Sequence, residues 1–263
     1  AVQLIDRNGD LSPVSGRSSP VTIDTETIPL GRYGATPPED DLHCILWRVP
    51  TGPTGTVGRI LLHTKNMELV GDTLYIANTD SLMAFPYKTG DTKISAKGEK
   101  IVPLPSSAPN NHWTRNVIAS PDQKTLLVTV GSNSNIGENG LKSEEYRANV
   151  LEVYPKQKTF RIFTAGLRNP NGLAYEPKTG YLWTTVNERD QLGPDTPPDY
   201  LATVDFSGHY GWPWFYWRLP DHRVQPQRPD LQQYVKRPNY ALGAHTASLG
   251  LAFAGTAELG PNF

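Results

Sequence analysis

Three stretches of the sequence share one pattern, in which a turn, an apolar strand, a polar loop, a second strand and another turn follow each other. They begin at GDTLYIANTDSLMAFPYKTGD (71–91), PDQKTLLVTVGS (121–132) and KTGYLWTTVNE (178–188). Leu74, Leu126 and Leu182 hold equivalent places, 52 and 56 residues apart. A period near 50 residues with several strands per unit is typical of β-propeller blades, which bury their faces only by stacking. The repeat predicts an all-β propeller, with a β-sandwich of chance similarity as the alternative.

The rest of the composition agrees with many short elements joined by turns. The 263 residues include 24 prolines and 23 glycines, and a helical period is hard to find. We predict a single β-propeller domain over residues 1–263, in which residues 1–60 are irregular because they are rich in loop and turn sequences. Asp6, Asn8 and Asp10 have the spacing of a calcium loop. The loop's usual sixth and twelfth residues are absent, so we interpret this segment as a turn.

Charge and hydropathy exclude several classes of partner. The net charge is −1 and no basic run occurs, so neither nucleic acid nor an anionic membrane is an expected partner. No apolar run approaches the roughly 20 residues of a membrane span, which predicts no such span. The first residues lack a charged and then apolar leader, so any export signal is expected to be absent or already removed. The single cysteine excludes an intrachain disulfide and a thiolate metal cluster.

Two polar clusters are candidates for chemistry, because propellers place function on loops. In NNHWTRNVIASPD (110–122), His112 precedes a strand and is suited to general-base catalysis, since an ordinary imidazole pKa lies near ~6.5. The alternative is a hydrogen-bonded surface histidine. In GLRNPNG (166–172), Arg168 carries a planar fork of donors that suits a carboxylate or a developing oxyanion. The alternative is an arginine of a turn in a surface ion pair.

Three further clusters lie downstream. NERDQLGPD (187–195) offers the carbonyls of Gly193 and Pro194 with nearby carboxylates, which are ligands that calcium accepts, although a solvated acidic loop has the same composition. FSGHYGWPWFYW (206–217) is dense in aromatic residues, which form either a wall for a planar ligand or sugar, or packing between blades. GAHTASLGLAF (243–253) adds His245 and Thr246 before another predicted strand.

Taken in order, these clusters resemble the quinoprotein sugar dehydrogenases. This is the sorbosone dehydrogenase and soluble glucose dehydrogenase-like family, which uses pyrroloquinoline quinone (PQQ). The resemblance covers roughly residues 70–255 and is greatest to the sorbosone dehydrogenase branch. It is carried by six motifs: NHWTRNVIASPD, VTVGSNSNIGENG, GLRNPNGLAY, WTTVNERDQLGPD, HYGWPW and HTASLGLAF.

The resemblance implies a six-bladed β-propeller, which this chain holds incompletely because the family continues past the equivalent of Phe263 with another blade. It implies a PQQ- and calcium-dependent dehydrogenase acting on an aldose or a sugar aldehyde such as sorbosone. The enzyme would work in the periplasm or be secreted, and would pass electrons to an external acceptor.

The resemblance also implies roles for individual residues. His112 matches the catalytic base that removes a proton from the sugar hydroxyl, while hydride moves to the quinone. Arg168 matches the arginine beside the quinone, and Asn169 follows as a cofactor contact. His245 and Thr246, in the last motif, are predicted to bind the cofactor. The backbone carbonyls of Gly193 and Pro194 match those that hold the calcium ion.

The sequence departs from the family at one position beside the predicted base. The glucose dehydrogenases have an aspartate that can orient the base after the glycine matching Gly131, and Ser132 stands here. Two other functions stay open. One is a calcium-dependent hydrolase of the lactonase type, and the other is a non-catalytic propeller that binds glycans or proteins.

Overall fold

The computed structural model describes residues 44–51, 56–63, 66–91 and 93–253. In these ranges the chain is nearly all β, with sixteen strands and two short 3₁₀ helices, Leu141–Glu144 and Pro229–Tyr234. No helix in these ranges is long and apolar enough to cross a membrane.

The first two strands form a hairpin in a compact unit separate from the other strands. Strand β1 (Cys44–Thr51) pairs antiparallel with β2 (Thr56–His63) over its whole length. Residues 1–43 and 52–55 lie outside the described residues, and with them the predicted turn at Asp6–Asp10. The single domain over residues 1–263, with an irregular segment at 1–60, stays a prediction.

The second unit contains three antiparallel sheets of four strands each. The first sheet consists of β3 (Met67–Val70), β4 (Thr73–Ala77), β5 (Ser81–Pro86) and β6 (Glu99–Pro103). The second consists of β7 (Val117–Ala119), β8 (Leu126–Val130), β9 (Asn149–Tyr154) and β10 (Thr159–Ala165). The third consists of β11 (Asn169–Tyr175), β12 (Leu182–Asn187), β13 (Pro198–Thr203) and β16 (Tyr240–Ala244). A small hairpin, β14 (Phe215–Tyr216) and β15 (Leu219–Pro220), lies between β13 and β16 in sequence.

The predicted repeat corresponds to these sheets. Leu74, Leu126 and Leu182 all lie in the second strand of their sheets, in β4, β8 and β12 respectively. The expectation of an all-β fold made of repeated units with several strands is therefore confirmed. Six blades stay a prediction.

The second sheet is covered on both faces, as strand β8 shows. Its five residues are all buried, because successive side chains point to opposite faces of the sheet and both faces are packed. Val128 and Val130 belong to the core shared with the first sheet, while Leu127 belongs to the core shared with the third. This explains why four of the five residues of β8 are apolar and why no alternating pattern is seen.

Candidate functional site

A cavity of about 250 Å³ lies at one end of the second and third sheets. It is lined mainly by polar residues, which come from the loop before β7, from one edge of the third sheet and from the loop after β16: His112, Arg168, Asn169, Asn187, Glu188, Asp190, Asp199, His245 and Ala247. Four of these, His112, Arg168, Asn169 and His245, are residues that the sequence predicted.

Strand pairing explains why residues so far apart in sequence meet. In an antiparallel pair, the start of one strand lies beside the end of its partner. Asn169 begins β11 opposite Asn187 at the end of β12, and Pro198 begins β13 opposite Ala244 at the end of β16. The connections at this edge of the third sheet therefore converge on one place.

A glycine allows the second sheet to approach the third at the cavity. A Cβ on Gly131 would lie 2.4 Å from Asn169 Oδ1 and 2.5 Å from His112 Cβ, so only glycine leaves room for both side chains. Directly after it, the backbone N–H of Ser132 donates to the Arg168 carbonyl at 2.7 Å. The spacing between the predicted base and the predicted cofactor contact thus depends on Gly131.

Ser132 fixes the imidazole of His112. Nδ1 lies 2.8 Å from Ser132 Oγ and 3.0 Å from the Ser132 carbonyl oxygen. Because Ser132 Oγ donates its own proton to the Ser134 carbonyl, it accepts from His112, so we assign the proton to Nδ1. Nε2 then carries a lone pair, and none of the described residues hydrogen-bonds to it. A serine, and not a carboxylate, thus holds the ring of His112.

The surroundings of His112 favour the neutral ring. Burial lowers the pKa of His112 to about 4, and the positive charge of Arg168 acts in the same direction. The hydrogen bond to the Ser132 backbone opposes this only in part. His112 is therefore neutral and able to accept a proton throughout the neutral pH range.

We expect His112 to titrate near pH 4 and not near the ordinary 6.5. The ring resonances of His245 should titrate at a higher pH than those of His112, because the hydrogen bond to the Gly193 carbonyl and the charge of Asp190 raise the pKa of His245. Histidine-selective NMR between pH 3.5 and 8 measures both. A midpoint of 6.5 or above for His112 would contradict the assigned burial and charge.

Arg168 is part of the cavity wall and almost completely buried. Its Nε donates to the Asn135 carbonyl at 3.0 Å, and its Nη1 donates to the Glu188 carbonyl at 2.7 Å. It also forms an ion pair with Asp190, whose carboxylate lies 3.1 Å from Nη2. The arginine therefore presents a fixed positive charge to the cavity, as the sequence predicted for this position.

Two buried carboxylates that line the cavity, those of Glu188 and Asp199, accept hydrogen bonds from the loops around it. Asp199 accepts from the backbone N–H of Glu188 at 2.8 Å, from Thr246 Oγ1 at 3.1 Å and from the N–H of Ala247 at 2.7 Å. Glu188 accepts from the backbone N–H of Arg189 at 2.8 Å. Asp199 thus joins the loop after β12 to the loop after β16.

The pKa of Glu188 is raised to about 7, chiefly because burial penalises its charged form. A carboxyl whose folded pKa is raised stabilises the fold fully below its unfolded pKa, and that contribution is lost as the pH rises through the folded pKa. Between pH 5 and pH 8, we expect the unfolding free energy of the wild type to fall by about 3 kcal/mol more than that of Glu188→Gln, in which the carboxyl is absent. Urea denaturation at both pH values measures this difference. An equal difference at the two pH values would contradict it.

The loop after β16 places the other predicted residues. His245 lines the cavity, and its Nε2 donates to the Gly193 carbonyl at 3.0 Å. The hydroxyl of Thr246 points to Asp199 instead of forming the cavity wall. His245 and Ala247 have positive φ values of 54° and 50°, a strained conformation next to which Asp199 binds the Thr246 hydroxyl and the Ala247 backbone N–H.

Gly193 and Pro194 do not line the cavity, although the carbonyl of Gly193 contacts His245. Within the described ranges, no group of three or more His, Cys, Asp or Glu side chains is arranged to hold a metal ion. The calcium role of the two backbone carbonyls stays a prediction.

The aromatic cluster serves mainly as packing. Tyr210, Trp212 and Phe215 are buried, and Trp217 packs edge to face on Tyr200 with ring centroids 5.9 Å apart. Trp212 also donates from Nε1 to the Asn135 carbonyl at 2.9 Å. The packing interpretation of this cluster is therefore the better one for these residues.

The sequence analysis did not assign roles to Asn187, Glu188, Asp190 and Asp199. Asn187, Glu188 and Asp190 lie inside NERDQLGPD (187–195), the segment predicted to bind calcium, whose charged residues are also typical of a solvated loop. Asp199 carried a weak signal, since it is an acidic residue that directly precedes the apolar run YLATV.

Repeated four-stranded antiparallel sheets with a polar cavity at one end define a β-propeller-like protein with a candidate ligand site. The TrAA12-like family model matches residues 36–198, which is more than half of the chain. The chain therefore belongs to the TrAA12-like family. A curated relative, an uncharacterized protein of Borreliella burgdorferi, is 23% identical over 208 residues, which cover 75% of this chain and 54% of that protein. The chain spans about half the length of this relative.

Solved structures share the fold. The calcium structure of a Trichoderma reesei protein of Carbohydrate-Active Enzymes Family AA12 has a TM-score of 0.61 and 16% identity, over 96% of this chain and 69% of that one. The holo PQQ domain of pyranose dehydrogenase from Coprinopsis cinerea has a TM-score of 0.59 and 16% identity, over 81% and 66%. The apo form of the soluble aldose sugar dehydrogenase from Escherichia coli has a TM-score of 0.53 and 15% identity, over 83% and 59%.

Proposed function

We propose that this protein is a PQQ-dependent dehydrogenase that oxidises an aldose or a sugar aldehyde of the sorbosone type, with calcium assistance. The observation that carries the proposal is His112, a neutral imidazole held by Ser132 with Nε2 available, in the same cavity as Arg168. Membership of the TrAA12-like family and the fold shared with a PQQ domain and an aldose sugar dehydrogenase support it.

The residues that line the cavity fit an anionic planar quinone in two respects. Arg168 supplies a fixed positive charge beside the cavity. Asn169 Oδ1 is buried without a hydrogen-bond partner among the described residues, so it is available to a donor on a ligand. Calcium would be held by the carbonyls of Gly193 and Pro194, which lie outside the cavity lining, and the Gly193 carbonyl would have to give up its hydrogen bond from His245.

The chemistry assigns a proton-transfer role to His112. When bound, the quinone supplies the acceptor for hydride. His112 Nε2 accepts the proton of the sugar hydroxyl, while Nδ1–H keeps its hydrogen bonds to Ser132 and maintains the ring's orientation. The positive charge of Arg168 favours negative charge that develops in the cavity. Asp199 positions the loop after β16 through Thr246 and Ala247, and this loop brings His245 and Ala247 to the cavity.

The wider setting of the enzyme belongs to the same proposal. The protein would work outside the cytoplasm and pass electrons to an external acceptor. Pyranoses are the first substrates to test, because pyranose dehydrogenase is among the proteins with this fold.

Turnover with a dye as electron acceptor tests the proposal. The protein is incubated with PQQ and calcium, and a panel of pyranoses, other aldoses and sorbosone is supplied. We expect dye reduction that requires both PQQ and a sugar, and that NAD or a flavin does not support. If sugars of the panel bind but none of them leads to dye reduction, the result would contradict the proposed dehydrogenase and favour a glycan-binding propeller.

A further inference from the structure

All five N–H groups of Arg168 have acceptors inside the protein. Nε donates to the Asn135 carbonyl at 3.0 Å, and Nη1 donates to the carbonyls of Asn187 at 3.3 Å and Glu188 at 2.7 Å. Nη2 donates to Asn135 Oδ1 at 2.8 Å and to Asp190 Oδ2 at 3.1 Å. Since a guanidinium has five donors, none is left for a ligand while these bonds persist.

Four of these five acceptors are difficult to displace. Three are backbone carbonyls at strand ends or in adjoining loops. The fourth, Asn135 Oδ1, also accepts from the backbone N–H of Asp190 at 2.9 Å, which fixes its direction. A ligand that bonds to Arg168 must therefore replace the fifth acceptor, the carboxylate of Asp190.

The Asp190 carboxylate is suited to being displaced. Its side chain is 58% exposed, whereas that of Arg168 is 5% exposed. Among the described residues, its polar partners are Arg168 and the His245 ring, whose Nδ1 lies 3.4 Å from Oδ1. The backbone of Asp190 is held independently, through its N–H to Asn135 and its carbonyl to Arg189 Nε at 3.0 Å. Rotation of the side chain alone thus frees Arg168 without moving the loop.

We propose that Asp190 is an internal competitor for the anion position of the cavity. In the ligand-free protein its carboxylate occupies the place between Arg168 and His245 that a carboxylate of the ligand takes on binding. Two carboxylates cannot share the same Nη2 donor, and their like charges repel, so Asp190 leaves as an anionic ligand enters. Only the identity of the ligand, a planar polycarboxylate such as PQQ, rests on the proposed function.

Asp190→Asn tests this competition, because it removes the charge but preserves the shape of the side chain. Asp195→Asn is the matched control, since it removes the same charge from an exposed residue of the same loop. The probes are PQQ and pyridine-2,6-dicarboxylate, with binding measured by calorimetry in the absence of any sugar. The ring resonances of His245, recorded by NMR, show whether the probe reaches the cavity.

We expect Asp190→Asn to bind pyridine-2,6-dicarboxylate and PQQ about tenfold more tightly than the wild type, because a competing anion has been removed. Asp195→Asn should bind both as the wild type does. Unchanged or weaker binding of the dicarboxylate by Asp190→Asn would overturn the inference. Tighter dicarboxylate binding without any binding of PQQ would support the inference and contradict the proposed function.

Discussion

Replacing His112 with asparagine lowers the rate of sugar oxidation by about 10²- to 10⁴-fold, the usual contribution of a positioned general base. Asparagine can keep a hydrogen bond to Ser132, but it has no ring nitrogen with a lone pair to accept the hydroxyl proton. Asparagine is smaller than histidine, and its Cβ keeps the place beside Gly131 that the Cβ of His112 occupies. PQQ affinity should change little, because His112 acts on the substrate. Steady-state turnover and PQQ binding, measured on the same preparation, separate the two effects.

The control for this variant is His222→Asn, which changes an exposed histidine away from the cavity. It should retain wild-type turnover. Turnover of His112→Asn within a factor of about three of the wild type would remove His112 from the role of base, since that is far below a general-base contribution.

Replacing Asp221 with asparagine reduces the unfolding free energy by about 3–5 kcal/mol, because it leaves the guanidinium of Arg189 buried without its partner. The two side chains are only 1% and 3% exposed, and Arg189 Nη1 donates to Asp221 Oδ2. Arg189 Nη2 has no other partner among the described residues, so the remaining charge is not compensated. We expect the melting temperature to fall by about 10 °C.

An exposed ion pair provides the comparison. Glu99 and Lys158 form a pair whose side chains are 60% and 51% exposed. Glu99→Gln should cost less than about 1 kcal/mol, because water screens such pairs. Urea denaturation of the two variants and the wild type measures both losses of unfolding free energy. Equal losses would show that burial does not make the Asp221–Arg189 pair more important for stability than an exposed pair. Since Arg189 also holds the backbone carbonyl of Asp190, loss of this pair should loosen the cavity as well.

The repeated strands could be predicted from sequence because they depend on local patterns. Leu74, Leu126 and Leu182 follow turn residues at similar intervals, and each occupies the second strand of a four-stranded sheet. The hairpin β14–β15 could not be predicted, because its short strands lie in an aromatic segment without a strand period. Tyr210 and Phe215 are buried there by tertiary packing that no local pattern specifies.

The site was predictable only where residue type restricts chemistry. His112 and Arg168 were candidates because an imidazole can accept a proton and a guanidinium can hold an anion, although structural alternatives stayed open for both, and both line the cavity. Asp199 was missed because its role depends on Thr246, which lies 47 residues away in sequence and is brought near by the pairing of β13 with β16. Glu188 was missed because burial, which raises its pKa, cannot be inferred from the charged segment NERD.

We propose that the cavity holds a quinone and that His112 removes a proton from the sugar. The most direct test is an anaerobic single turnover, in which the protein is loaded with PQQ and calcium and mixed rapidly with a pyranose while the quinone absorbance is followed. We predict that the oxidised quinone spectrum bleaches in the wild type and at least about 100-fold more slowly in His112→Asn. Failure of PQQ to bind, or bleaching at the same rate in both proteins, would contradict the account.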